Sequence, residues 1–131
     1  MIYAAYGSNM NIVQMARRCP GARRLGTGII SGYELVFYNV ATIRARRGWC
    51  VPIVLWEITE ECEESLDIFE GFPHFYRKAN LQVEFKNETI SAMVYIMNEV
   101  HCQHESPPNE AYRKIIMDGY KQNNISKVLK G

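Results

Sequence analysis

No stretch of this 131-residue sequence stays apolar for anything near the ~20 residues that a membrane-spanning helix needs. No secretory signal is visible either. The four cysteines, Cys19, Cys50, Cys62 and Cys102, are scattered, so no CxxC pair marks a metal or redox site. A reduced, cytoplasmic protein with no membrane partner is the expectation. Charge of one sign is missing too, since 15 Lys and Arg against 14 Asp and Glu leave a formal net charge of +1. The short basic clusters Arg17-Arg18, Arg23-Arg24 and Arg44-Ala45-Arg46-Arg47 read as solvated faces and a hairpin tip. No aromatics line a long basic stripe, so no nucleic-acid partner is expected. A Walker-type phosphate loop and a dinucleotide fingerprint are both absent. So are repeats, low-complexity tracts and linkers, and residues 1–131 are expected to form a single domain.

What is present is apolar content of 47%, enough to bury a core without staples. Ile2–Tyr6 reads as a short buried strand. Asn9 or Asn11 can cap a helix over Met10–Arg18, which Pro20-Gly21 stops. Strand-like runs at Leu25–Ile30 and Leu35–Tyr38 are broken by Ser31-Gly32, and Val40–Ile43 extends or follows them. Arg46-Arg47-Gly48 looks like a hairpin tip. Trp49–Ile58 is a further strand, whose Pro52 suggests an edge or a bulge. Thr59 caps an acidic helix ending at Glu70, with Cys62, Leu66 and Phe69 on one face and Gly71 as the C′ residue. Leu81–Phe85 and Ile90–Met97 bracket Lys86-Asn87-Glu88, a hairpin signal. Asn109 caps a last long helix with Tyr112, Ile115, Ile116, Gly119 and Tyr120 at helical spacing, and Ser126–Leu129 adds a turn. Several strands are joined too tightly for βαβ crossovers. The fold class is therefore α+β: a mixed β-sheet curled into a small barrel with flanking helices.

Two stretches carry candidate chemistry. Tyr6-Gly7-Ser8-Asn9 runs from a strand into a helix, so its backbone N–H groups can cradle an anion or an oxyanion. It also reads as a plain turn with a capping asparagine. Glu70 ends a helix, at the negative end of its dipole, amid Phe69, Phe72, Phe75, Tyr76 and Pro73. Both settings disfavour ionisation and suit a general base near neutral pH. A solvated Glu70, with Asp67 solvated three residues before it, is the competing reading. His74, His101 and His104, with Cys102 between the last two, offer no evident fourth metal ligand, and no metal site is expected.

Together these stretches resemble the gamma-glutamylcyclotransferase-like family. Tyr3-Ala4-Ala5-Tyr6-Gly7-Ser8-Asn9-Met10 resembles its N-terminal signature. Leu66-Asp67 to Glu70-Gly71, then Tyr76-Arg77, resembles its acidic motif, and Ala92–Met97 its late strand. Pro107-Pro108 to Tyr112, with Lys114-Ile115-Ile116 after it, resembles its C-terminal helix segment. Ala41-Thr42-Ile43 and Trp56-Glu57-Ile58 also fit. The resemblance implies a barrel-like α+β fold, often dimeric, which leaves room for a homodimer. It implies an enzyme acting on a small gamma-glutamyl amide or dipeptide. The substrate's α-amine attacks its own γ-carbonyl, releasing 5-oxoproline and an amine or amino acid, with no cofactor. Glu70 takes the place of the catalytic glutamate. Tyr3, Ala4, Ala5, Tyr6, Gly7, Ser8, Asn9 and Tyr112 match substrate-contacting positions, and Tyr76 and Tyr95 match pocket-shaping tyrosines. The segment Phe72-Pro73-His74-Phe75 departs from members that carry a glycine there, which bears on the leaving-group side. A non-catalytic carboxylate-binding module on the same scaffold is the alternative function, and a fold kept for protein–protein association is a third.

Overall fold

The computed structural model describes residues 1–127. Five strands close into a barrel in the order β1-β3-β2-β4-β5. They are β1 (Ile2–Ala5), β2 (Arg23–Tyr38), β3 (Val40–Glu57), β4 (Tyr76–Phe85) and β5 (Glu88–Met97), with helices α1 (Ile12–Arg18), α2 (Glu60–Glu70) and α3 (Glu110–Gln122). Neighbours run antiparallel except β1 and β5, which are parallel and meet at Tyr3 and Met93. The expected mixed sheet, curled into a barrel and flanked by helices, is the architecture that forms.

Both faces of the central strands are buried, which explains why their sequences are nearly continuous apolar runs. Ala4, Tyr6, Val51, Ile53, Leu55, Val94 and Ile96 belong to the barrel interior. Their alternating neighbours Tyr3, Ala5, Val54, Trp56, Met93, Tyr95 and Met97 join the helices in a second core with Met10, Met15, Leu66, Ile116 and Tyr120.

Local signals account for the helix ends. Thr59 Oγ1 accepts from Cys62 N at 3.1 Å, Asn109 Oδ1 from Tyr112 N at 2.8 Å, and Asn11 Oδ1 from Gln14 N at 3.0 Å. Asn11 is therefore the cap of α1, and Asn9 lies in the 3-10 turn before it, Ser8–Met10. Gly71 closes α2 at φ 64°, the left-handed value that glycine takes without a Cβ clash. Lys86 and Asn87, both at positive φ, make the two-residue reversal between β4 and β5.

Several expectations are corrected. The two runs broken at Ser31-Gly32 are one strand, with a bulge there. Arg46-Arg47-Gly48 is not a hairpin tip. The reversal between β2 and β3 is at Asn39 alone, whose φ of 67° is tolerated by a short amide side chain. Arg46–Trp49 instead bulge opposite Gly32, between the paired residues Tyr33↔Ala45 and Ser31↔Cys50. Arg44 and Arg46 both reach back across the strand pair to the buried Glu34, at 2.8 and 3.0 Å. Pro52 pairs with Ile29 beyond the end of β1, whose pairing to β3 stops at Val54, so no ladder bond to β1 is lost there. β4 starts at Tyr76, five residues ahead of the expected Leu81. Phe69 does not share the buried face of Cys62 and Leu66; it is half exposed, with the Arg18 guanidinium 3.1 Å from its ring centre. The turn expected over Ser126–Leu129 falls partly outside the described residues, and residues 125–127 are irregular.

Between β2 and β4 the barrel seam is a single paired position, Ile29↔Glu84. Next to it, a Cβ on Gly28 would lie 2.5 Å from the Glu84 carbonyl oxygen. Replacing Gly28 by alanine is expected to pry the seam apart and cost about 1–3 kcal/mol. Urea unfolding of Gly28→Ala against the native chain measures this; an unchanged midpoint would contradict the tight seam.

Candidate active site

A recess opens where the end of β1, the 3-10 turn, the C-terminal end of α2 and the start of α3 converge. It is lined by Tyr3, Tyr6, Gly7, Ser8, Asn9, Ala41, Glu70, Tyr76, Tyr95 and Tyr112. Its cavity volume is only about 30 Å³, so the recess is narrow. Tyr3 of β1 and Tyr6 just past its end point into different cores, yet both reach this recess. The site therefore sits on the seam between the two cores.

Each phenol is tied down, and the direction of each hydrogen bond matters. Tyr6 donates to the Tyr95 carbonyl at 2.6 Å, Tyr76 to the Ala41 carbonyl at 2.5 Å, and Tyr95 to Asp67 Oδ1 at 2.6 Å. Those three protons are used within the protein. Tyr3 and Tyr112 are held the other way: Tyr3 accepts from Asn9 Nδ2 at 3.0 Å, and Tyr112 from the Ala41 N–H at 3.2 Å. A phenol oxygen that accepts still has its own proton to give. The recess thus keeps two phenol donors, from opposite ends of the chain. The 3-10 turn adds backbone donors, because its first hydrogen bond is Met10 N to Gly7 O and the N–H groups of Ser8 and Asn9 precede it.

Glu70 is the carboxylic acid of the recess. Its oxygens accept no hydrogen bond from the described residues. Burial pushes its carboxyl from 4.5 up to about 7, against a smaller downward pull from the Arg18 cation. This burial comes only in part from the sequence neighbours. Tyr76 is buried and lines the recess, but Ile68, Phe69 and Phe72 are exposed, and none of Phe72, Pro73, His74 and Phe75 lines it. The rest of the covering surface comes from the tyrosines at the end of β1, on β5 and on α3. Asp67 is not left to solvent: it accepts from Tyr95 and pairs with Lys78 Nζ at 3.0 Å.

Of the residues expected at the site, Tyr3, Tyr6, Gly7, Ser8, Asn9, Glu70, Tyr76, Tyr95 and Tyr112 are gathered here. Ala4 and Ala5 are not among the lining residues; Ala4 belongs to the barrel interior and Ala5 to the outer core. Gly7 takes φ −116° and ψ −133°, outside the usual strand and helix regions. A Cβ there would stand 3.4 Å from both the Ala41 Cβ and the Tyr112 hydroxyl, in van der Waals contact with the recess wall. Ala41 and Arg18 were not anticipated. Ala41 works through its peptide group, which bonds both Tyr76 and Tyr112, and a peptide group carries no mark in the sequence. His101 lies apart from the recess, its ring against Phe75 and its Nε2 3.2 Å from the His74 carbonyl oxygen. No cluster of His, Cys, Asp or Glu among the described residues is arranged to hold a metal.

The family model described as gamma-glutamyl cyclotransferase, AIG2-like, matches residues 3–119. No curated protein matches the chain in sequence. Among solved structures, a gamma-glutamyl cyclotransferase is 26% identical, with TM-score 0.87 over 96% of this chain and 81% of its own. An uncharacterized Homo sapiens protein is 27% identical, with TM-score 0.87 over 95% of this chain and 80% of its own. An AIG2-like protein from Mus musculus, 20% identical, shares the fold with TM-score 0.61 over 83% of this chain and 97% of its own.

Because Glu70 holds its proton more tightly folded than unfolded, its neutral form favours the fold, and this stability is lost as pH rises from 4.5 through about 7. Glu70→Gln lacks that loss. The variant is expected to be more stable than the native chain above pH 7, by on the order of 2 kcal/mol, with the difference gone below pH 4.5. Unfolding free energies measured from pH 4 to pH 9 read the effect directly, and parallel curves would refute a carboxyl titrating near neutrality.

Proposed function

The chain belongs to the gamma-glutamyl cyclotransferase, AIG2-like family, and on that premise we propose that it cyclises a gamma-glutamyl amide or dipeptide to 5-oxoproline, with Glu70 as general acid and base. One observation carries the reading. Glu70, free of protein hydrogen bonds among the described residues and brought by burial to about 7, lines the same slot as the Gly7–Asn9 turn and the Tyr3 and Tyr112 phenols.

In this reading the gamma-glutamyl chain lies folded back on itself in the recess, with the leaving group at its open side. Glu70 as carboxylate takes a proton from the α-ammonium group. The freed amine attacks the γ-carbonyl carbon of the same molecule, so holding the substrate folded supplies much of the rate. Negative charge grows on the carbonyl oxygen. The Tyr3 and Tyr112 phenols and the Ser8 and Asn9 N–H groups are the donors for that oxygen and for the substrate's α-carboxylate. As the C–N bond to the leaving group breaks, Glu70 gives that proton to the departing nitrogen and takes the second one from the ring nitrogen, which is left with the single hydrogen of 5-oxoproline. A carboxyl titrating near pH 7 is present in both forms at neutrality, which this exchange of roles requires. No cofactor enters these steps. Ala4 and Ala5 contribute by keeping β1 thin enough to seat Tyr3 and Tyr6, and Tyr76 and Tyr95 act as walls whose protons are already spent.

A panel of gamma-glutamyl amides and dipeptides assayed for 5-oxoproline tests the proposal. At least one member is expected to turn over. Glu70→Gln should lower kcat by roughly 10²- to 10⁴-fold while substrate still binds. Tyr112→Phe and Tyr3→Phe should each lower kcat by roughly ten-fold or more, and Tyr76→Phe by less. Wild-type turnover in Glu70→Gln, or ligand binding across the panel with no 5-oxoproline, would sink the reading; the second outcome would favour a binding module.

A further inference from the structure

We propose that Arg18 is a positioning residue of this site, whose guanidinium clamps the Ser8–Asn9 turn to the end of α2, aims the Tyr3 proton into the recess and sets a positive charge opposite Glu70. The proposal rests on the cyclotransferase reading. Arg18 is the last residue of α1, where the helix dipole favours a cation. One face of its guanidinium lies on the Phe69 ring, next in sequence to Glu70, at 3.1 Å from the ring centre. Its Nη1 donates to Asn9 Oδ1 and, at 3.4 Å, to Ser8 Oγ.

These two bonds fix directions further on. With Oδ1 of Asn9 occupied by an arginine N–H, the amide must turn Nδ2 towards Tyr3, and Tyr3 must accept. The Asn9 carbonyl is held as well, by Trp56 Nε1 at 3.1 Å. On the other branch, Ser8 Oγ receives the arginine, which fixes Ser8 in the recess wall it shares with Tyr112. The Tyr3 phenol is thus oriented from the guanidinium, while Tyr112 is oriented by the Ala41 N–H. The charge acts on Glu70 itself. The groups facing Glu70 from β1, β4, β5 and α3 are the phenols of Tyr3, Tyr6, Tyr76, Tyr95 and Tyr112, all held above their ordinary range by burial and so neutral while Glu70 titrates. On α2, Asp67 is engaged by Lys78 and Tyr95. Among the described residues, Arg18 is the cation that pulls the Glu70 carboxyl down.

The test compares Arg18→Met and Arg18→Lys with the native chain. Glu70 is titrated by carbon-13 NMR of its side-chain carboxyl, assigned by its disappearance in Glu70→Gln, and thermal unfolding confirms that each variant is folded. Arg18→Met should raise the Glu70 midpoint by about one unit, and Arg18→Lys, which keeps the charge, should restore most of it. The acid limb of kcat/KM should move with the midpoint, lowering turnover about five-fold at pH 7 in Arg18→Met. Arg18→Lys should recover the pH profile but not the full kcat, because an ammonium does not reproduce the planar guanidinium stacked on Phe69 while it bonds Ser8 and Asn9. A Glu70 midpoint unmoved in Arg18→Met, or moved equally by both variants, would overturn the proposal. The titration needs no substrate. If no gamma-glutamyl compound turns over, the cyclotransferase reading fails on its own, while the midpoints still decide whether Arg18 governs Glu70.

Discussion

A carboxyl held away from water, with no donor of its own among the described residues, is the constraint around which this molecule is arranged. Such a group resists ionisation, and the fold keeps Glu70 near neutrality through two opposed effects, burial raising its pKa and the Arg18 cation lowering it. The burial is supplied by phenols rather than by aliphatic side chains. A phenol excludes water with its ring and offers a hydroxyl at the tip, so one residue type both desolvates the carboxyl and furnishes polar contacts.

The polarity of the recess follows from which way those hydroxyls point. Three are turned into the protein, onto two carbonyls and Asp67, and two remain directed by groups that donate to them. The lining is therefore not a generic polar surface. It has acceptor capacity concentrated at Glu70 and donor capacity at Tyr3, Tyr112 and the turn. A ligand with an ammonium at one end and oxygens at the other matches that distribution. The Asp67–Lys78–Glu63 cluster, at 3.0 and 2.7 Å, stabilises the distribution from behind by holding Tyr95 in place.

The readable parts of the fold were those specified within a few residues. Thr59, Asn109 and Gly71 mark helix ends because capping is decided by one side chain and its own turn. The Lys86-Asn87 reversal is equally local. The β2–β3 pair was not legible in the same way: a glycine after two arginines has the composition of a tip, and only Gly32 and Glu34 across the ladder show that it is a bulge. At the site, Glu70 was visible as a carboxylate near aromatics, but of those in its sequence neighbourhood only Tyr76 covers it, while Phe69 and Phe72 face solvent. The residues that cover it lie on other elements, up to 67 positions away at Tyr3. Arg18 looked like half of a solvated basic pair, since nothing within α1 signals that its partners are Asn9, nine residues back, and Phe69 on another helix.

The slot draws one wall from the third residue of the chain and another from Tyr112, near the far end of the described chain. β1 has to wait for β3 and β5 before it is paired on both sides, and α3 has to dock before Tyr112 meets Ala41. A chain that stops short of α3 carries every other lining residue of the recess but lacks the Tyr112 wall. The recess is complete only when the two ends of the chain meet across Glu70.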